Sequence, residues 1–204
     1  HLRQADGRWE RGLEDYVDST WELADRTLLV VGLGGIGTEI ARRAHALGME
    51  VIATRASSRQ GPPFVSYVGL ADELHTLAGR ADIIVNATPL VPATEDLFDA
   101  EFFAAAKPGA YFINIGRGAS VVTEDLVAAL ESGRIAGAGL DVTDPEPLPE
   151  RHPLWRMPRV IITPHISART EGSSERRWLL VRENLRRYVA GEPLLSVVDI
   201  EKGY

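Results

Sequence analysis

Six short clusters hold most of the side chains in this chain that could do chemistry, and each closes an apolar run. Gly32-Leu33-Gly34-Gly35-Ile36-Gly37 follows Leu28 to Val31, and Thr54-Arg55 follows Val51 to Ala53. Thr88-Pro89 follows Asp82 to Ala87, Gly116-Arg117 follows Tyr111 to Ile115, Asp141 lies in Ala138 to Val142, and Pro164-His165 follows Val160 to Thr163. The first cluster is Gly-x-Gly-x-x-Gly. Gly32 permits a tight turn, Gly34 lets the backbone approach a pyrophosphate, and Gly37 lets a helix pack close to the strand. The helix that follows offers free N–H groups and the positive end of its dipole to phosphate. A bare Gly-x-Gly-x-x-Gly also occurs as an ordinary turn. Here it stands between an apolar strand and a helical repeat (Ile40, Ala41, Ala44, Leu47, then Gly48), with a second strand behind it, which makes it a dinucleotide fingerprint.

The elements that must position these clusters alternate. Helical patterns are predicted over Leu70 to Ala78, Glu101 to Ala106, Glu124 to Leu130 and Glu171 to Ala190, between the strands. Alternation of this kind predicts an α/β fold: a doubly wound, mostly parallel Rossmann sheet with helices on both faces. Ala56 to Pro63 reads as a loop. So does Asp144 to Pro158, which holds five prolines and shows no period. In such sheets ligands bind beyond the carboxyl ends of the strands, where all six clusters fall.

Composition narrows the function. The 204 residues carry a net charge of −7, so there is no basic footprint for nucleic acid. No apolar run approaches the ~18 residues of a membrane span, and residues 1–26 lack the apolar core of a signal peptide. The absence of cysteine excludes disulfides and thiol chemistry and fits a cytoplasmic enzyme. The histidines and carboxylates show no metal-ligand spacing, so no metal is expected. His1, His45, His75 and His152 read as surface or packing residues, and Trp155 with its proline-rich loop as packing.

Five ordered stretches carry a resemblance: VGLGGIG, TPLVPAT (Thr88 to Thr94), INIGRGASVVTEDLVAALESGRIAGAGLDV (Ile113 to Val142), DPEPLPERHPLW (Asp144 to Trp155) and ITPHIS (Ile162 to Ser167). Together they resemble the coenzyme-binding domain of the D-isomer-specific 2-hydroxyacid dehydrogenases, from about Leu23 to the C-terminus. The resemblance implies an NAD(P)-dependent oxidoreductase moving hydride between a nicotinamide cofactor and a small D-2-hydroxy or 2-oxo acid, glyoxylate- or hydroxypyruvate-like. It implies that Arg117 grips the substrate carboxylate and 2-oxo oxygen with its planar fork. It makes His165 the acid/base, and Glu146 the carboxylate that pairs with it and favours the imidazolium. Read as cofactor-binding, from the glycine fingerprint, the loop after the second strand and the resemblance together, are Gly32, Gly34, Gly35, Ile36, Gly37, Ser57, Ala87, Thr88, Pro89, Thr94, Ile115, Gly116, Asp141 and Ala168. Asp141 matches the aspartate near the nicotinamide amide, and Thr88, Pro89 and Thr94 match the segment beside the riboses.

One position departs from the dinucleotide pattern. An acidic residue is expected about 20 residues after the glycines, to bind the adenosine 2′-hydroxyl. Arg55 stands there, eighteen residues after Gly37. An arginine cannot accept from that hydroxyl but can pair with a 2′-phosphate, with Ser57, Ser58 and Arg59 nearby. NADP(H) is therefore the expected cofactor, with NAD(H) possible. In domain terms, residues 1–22 read as a connecting or dimer-contact segment with Trp9, Tyr16 and Trp21, and 23–190 as the Rossmann domain. Residues 191–204 read as a tail returning toward a substrate domain absent from this sequence. The isolated piece is expected to be inactive, and the resemblance implies a homodimer through the coenzyme domains. Two other functions fit the same motifs: a nucleotide-sensing, corepressor-like binding module and a phosphite dehydrogenase.

Overall fold

The computed structural model describes residues 22–200. Trp9, Tyr16 and Trp21, with the rest of 1–21 and 201–204, lie outside the described residues.

Seven strands form one sheet: β1 (Thr27–Val31), β2 (Glu50–Thr54), β3 (Tyr67–Gly69), β4 (Ile83–Asn86), β5 (Ala110–Asn114), β6 (Ile135–Leu140) and β7 (Val160–Ile162). Their order is β3-β2-β1-β4-β5-β6-β7 and every pairing is parallel. The helices are α1 (Gly35–Ala46), α2 (Leu74–Ala78), α3 (Ala100–Ala105), α4 (Thr123–Glu131) and α5 (Ser173–Ala190).

The β1 sequence explains both layers. Successive side chains of a strand point to opposite faces. Leu28 and Val30 join the core that includes Ala41 and Ala44 of α1. Leu29 and Val31 join the other core, with Leu74 and Leu77 of α2, Phe102 and Phe103 of α3, and Leu126 of α4. A strand covered on both sides reads as a continuous apolar run rather than an alternation. The second core is centred on aromatic rings: Phe98 meets Phe102 edge-on at 4.8 Å, and Phe103 meets Phe112 at 5.4 Å. Each buried phenylalanine contributes roughly 1.5–3 kcal/mol from burial alone.

Three elements differ most from the sequence reading. β3 was not expected. It is three residues long and ends in glycine, and its register with Ile52 and Thr54 of β2 is what defines it. The helix expected over 70–78 is a single 3₁₀ turn, Ala71–Glu73, followed by the short α2. β6 begins at Ile135 rather than Ala138. Its glycines hide the strand propensity, yet Gly137 is needed there: a Cβ would lie 2.6 Å from the Arg159 carbonyl and 2.9 Å from the Tyr111 ring. The proline-rich stretch is a loop, as expected, with one 3₁₀ turn at Pro153–Arg156 anchored by buried Leu148 and Leu154. There His152 Nδ1 caps the turn by accepting from the Leu154 N–H. α5 ends at Gly191, whose φ of 68° suits a residue without a Cβ, and it buries none of its side chains among the described residues. No helix among them is long and apolar enough to cross a membrane.

Candidate active site

In sequence the strands run outward from β1 to β3, then restart at β4 on the other side of β1. The strand order therefore reverses between β1 and β4, the place where an open α/β sheet forms a ligand crevice. The glycine turn leaves β1 here and Ala87-Thr88-Pro89 leaves β4. The two loops touch: at Gly32 (φ 94°) a Cβ would lie 2.9 Å from the Ala87 carbonyl oxygen and 3.1 Å from Thr88 Cγ2. At Gly37 a Cβ would collide with the Gly32 carbonyl, so only glycine lets α1 start this close to β1. Gly34 and Gly35 face open space, where a Cβ would meet nothing within 4 Å. No side chain caps α1, so its leading N–H groups face the crevice uncovered. Bare backbone and an uncapped helix end are the donor set a pyrophosphate needs, and the chain fits a dinucleotide at this point. Ile36 is 64% exposed beside it.

Arg55 sits one strand further out, just past β2. Its N–H bonds the Gly69 carbonyl (3.0 Å) and its Nη1 donates to the Gln60 carbonyl (3.0 Å), closing a loop in which Ser57 is exposed. On the other side of the crevice, β4 and β5 end in two amides in register, Asn86 and Asn114. Both are fully buried. Asn86 Nδ2 donates to Asn114 Oδ1 (3.0 Å) and Ser120 Oγ (2.7 Å), while its Oδ1 accepts from the N–H (3.0 Å) and hydroxyl (2.7 Å) of Thr88. Asn114 holds the next loop: Oδ1 accepts from the Gly116 N–H and Nδ2 donates to the Arg117 carbonyl, which Ser120 Oγ also reaches. The exposed Arg117 side chain donates to the Gly116 carbonyl (2.7 Å). Thr94 is turned inward. Its hydroxyl donates to the Pro89 carbonyl (2.6 Å) and accepts from the Val91 N–H (2.9 Å), shaping the loop that carries Pro89.

Beyond β5 the chain brings together an acid and a base nineteen residues apart. His165 Nδ1 lies 2.8 Å from Glu146 Oε1, both about half exposed. Glu146 is delivered by the proline-rich loop. Thr123 on α4 donates to the Asp144 carbonyl (2.8 Å), and Gly118 packs so tightly that a Cβ would collide with the Thr143 carbonyl. His165 has φ 51°, a conformation that non-glycine residues avoid. Asp141 holds it there. The Asp141 carbonyl accepts from the His165 N–H (2.8 Å), and its carboxylate takes the Thr163 hydroxyl (2.6 Å) and the N–H groups of Ile166 (3.0 Å) and Ser167 (2.9 Å). Burial alone would raise the Asp141 pKa. Hydrogen bonds from the Ser167 and Thr163 hydroxyls and the two N–H groups outweigh it, and hold the carboxyl well below the usual range.

All the residues picked from sequence thus lie at one end of the sheet. In order across it come Arg55 after β2, the glycines after β1, Ala87-Thr88-Pro89 after β4, Ile115-Gly116-Arg117 after β5, Asp141 after β6, and His165 and Ala168 after β7. β2 and β5 are three strands apart, about 14 Å. The residues not picked are the ones that hold this array: Asn86, Asn114, Ser120, Gly118, Thr123, Thr163 and Ser167. All but Asn86 lie inside stretches that carry the resemblance, without a role assigned to them there, and the two asparagines also close the apolar runs DIIVN and YFIN. Among the described residues no group of three or more His, Asp or Glu could hold a metal ion.

The family model for the D-isomer specific 2-hydroxyacid dehydrogenase NAD binding domain matches residues 1–167. The human glyoxylate reductase/hydroxypyruvate reductase is 43% identical over 180 residues, covering 87% of this chain and 54% of that protein. Glyoxylate/hydroxypyruvate reductase A of Photorhabdus laumondii is 36% identical over 203 residues, covering 100% of this chain and 62% of the relative. The chain therefore spans little more than half the length of these relatives. Among solved structures, a D-isomer specific 2-hydroxyacid dehydrogenase from Xanthobacter autotrophicus Py2, in complex with NADPH and MES, superposes with a TM-score of 0.85 at 36% identity, covering 98% of this chain and 79% of that one. The NADPH-dependent glyoxylate/hydroxypyruvate reductase of Sinorhizobium meliloti, in complex with NADP and sulfate, superposes at 0.84 with 34% identity, covering 100% and 66%. With its all-parallel Rossmann sheet, its glycine crevice and these matches, the chain belongs to the D-isomer specific 2-hydroxyacid dehydrogenases as an NAD-binding domain.

Proposed function

We propose that this chain is the coenzyme-binding part of an NADP(H)-preferring reductase of small 2-oxo acids of the glyoxylate or hydroxypyruvate kind. The observation that supports the reading is that Arg117 and the His165–Glu146 pair leave the same end of the sheet as the glycine crevice, with the Arg117 loop packed at Gly118 against the Thr143–Asp144 backbone of the Glu146 loop. A bound nicotinamide supplies the hydride. The chain's own residues do the rest. Arg117 binds the carboxylate and 2-oxo oxygen of the acid, a planar pair of acceptors that a guanidinium meets bidentately. One Nη1 hydrogen is held by the Gly116 carbonyl, which leaves the other guanidinium donors for the substrate. His165 presents Nε2 to the carbonyl oxygen, because its Nδ1 is taken by Glu146. It gives a proton there in reduction and takes one in oxidation. Glu146 fixes the ring and stabilises the imidazolium. Asp141 is a positioning residue that holds the turn on which His165 stands.

The preference for NADP(H) rests on Arg55 at the place where an acidic residue would favour NAD(H), and on relatives whose structures hold NADPH or NADP. The expected cytoplasmic location and homodimer belong to the same reading. The test has two arms. Calorimetry on this chain should show NADPH binding tighter than NADH, about ten- to a hundredfold, with Arg55→Asp narrowing or inverting the ratio. The complete protein should oxidise NADPH with glyoxylate or hydroxypyruvate. Equal affinities unchanged by the substitution would remove the preference, and no turnover with any 2-oxo acid would remove the activity.

A further inference from the structure

Arg59, the second arginine of the loop after β2, is already engaged. Its Nη1 lies 2.6 Å from Glu73 Oε2 and donates to the Tyr67 hydroxyl at 3.0 Å. The Tyr67 hydroxyl donates in turn to Glu73 Oε1. Glu73 also accepts from the Leu70 N–H (2.9 Å), which ties the carboxylate to the turn after β3. This cluster lies beside Arg55. The Arg55 N–H bonds the Gly69 carbonyl, and Glu73 Oε2 would stand 3.3 Å from a Cβ on that same Gly69. A carboxylate is thus locked at the sheet edge where the 2′-position of a bound adenosine would be read, and it neutralises one of the two arginines there.

We propose that Glu73 is a specificity-determining residue that weakens the chain's grip on a 2′-phosphate. It does so by keeping Arg59 in an internal ion pair and by placing a negative charge near the phosphate. The inference rests on the reading of Arg55 as the 2′-phosphate partner. Its sign follows from charge. With Glu73 present, Arg59 and Glu73 sum to zero and Arg55 is the net cation. Without the carboxylate the edge gains one positive charge facing a group of about −1.5 to −2. Within a Debye length and in a water-like dielectric, this amounts to roughly a three- to tenfold change in affinity, reduced by salt. Glutamine at position 73 keeps an acceptor oxygen for the Leu70 N–H, and its Nε2 can donate to the Tyr67 hydroxyl oxygen in place of the acceptor that is lost, so the turn survives.

The experiment measures dissociation constants of adenosine 2′,5′-bisphosphate and 5′-AMP, which differ only in the 2′-phosphate. The proteins are the wild-type chain, Glu73→Gln, Arg59→Gln and the double variant, each checked for folding by circular dichroism. Glu73→Gln should tighten the bisphosphate by about three- to tenfold and leave 5′-AMP within about twofold. Arg59→Gln should cost more in the Glu73→Gln background than in the wild type. An unchanged bisphosphate-to-AMP ratio in Glu73→Gln, in a wild type that prefers the bisphosphate, overturns the inference and leaves the Arg55 reading standing. A wild type with no preference, in which Glu73→Gln creates one, supports the inference and overturns the wild-type preference. No discrimination in any variant overturns both.

Discussion

Asn86→Ala is the substitution whose effect the structure defines most closely. An asparagine side chain can donate twice and accept twice. Asn86, fully buried, does all four, and it is the node joining the loop of Thr88 to the loop of Arg117. At a net ~0.5–1.5 kcal/mol for each hydrogen bond, the four bonds set a range of about 2–6 kcal/mol. The lower half applies, because two of the partners keep other bonds. Asn114 Oδ1 still accepts from the Gly116 N–H, and Ser120 Oγ still donates to the Arg117 carbonyl. The Thr88 N–H and hydroxyl lose their shared acceptor. The expected loss is therefore about 2–4 kcal/mol in the urea unfolding free energy of this chain. The denaturant slope should stay unchanged, because the surface exposed on unfolding hardly differs. Ser57→Ala, on the exposed loop, is the control and should stay within ~0.5 kcal/mol. A loss below ~1 kcal/mol for Asn86→Ala would show that the network is no stronger than a solvated one, and that the β4 and β5 loops are held by something else.

Three further outcomes follow from the geometry. Gly37→Ala forces α1 off β1, so it should cost about 1–3 kcal/mol by overpacking and weaken dinucleotide binding more than tenfold; calorimetry showing wild-type affinity contradicts the close approach. Gly118→Ala displaces the Thr143–Asp144 backbone and with it Glu146, so in the complete enzyme kcat should fall at least ~10-fold while NADPH affinity holds; a loss of cofactor binding instead would place that loop in the nucleotide site. Asp141 has a depressed pKa in the folded chain, so the stability it contributes is fully present above the ordinary aspartate value of about 3.9 and is lost as pH falls below it. Asp141→Asn should therefore be less stable than wild type near neutrality, and the gap in urea midpoint should hold down to about pH 4 and narrow as pH falls from there to about 2; a gap constant over that range would contradict the carboxylate's role.

Most element types, the phosphate-binding end of the sheet and the candidate residues are legible in the amino-acid sequence; the three-residue β3 is not. The reason is that these depend on short-range physics. A doubly covered strand must be an apolar run, as in TLLVV, and a helix packed on a strand needs glycine at the crossing, as at Gly37. Arg55 was legible for the same reason, since a fixed spacing along one βαβ unit places it at the adenosine edge. Interactions between segments far apart in the chain became visible only in the fold. The resemblance implies the Glu146–His165 pair, but what delivers Glu146 to the histidine is a loop pinned by Gly118 and Thr123, and neither residue has a role that the sequence shows. The resemblance sets Asp141 near the nicotinamide amide; that its carboxylate holds the turn of His165 is visible only in the fold. Arg59 reads as a second phosphate ligand, yet it meets Glu73 because β3, too short and too glycine-bounded to show a period, folds alongside β2. Parallel pairing joins residues that no local pattern relates, so the register of Asn86 with Asn114, and the buried network built on it, had to be seen in three dimensions.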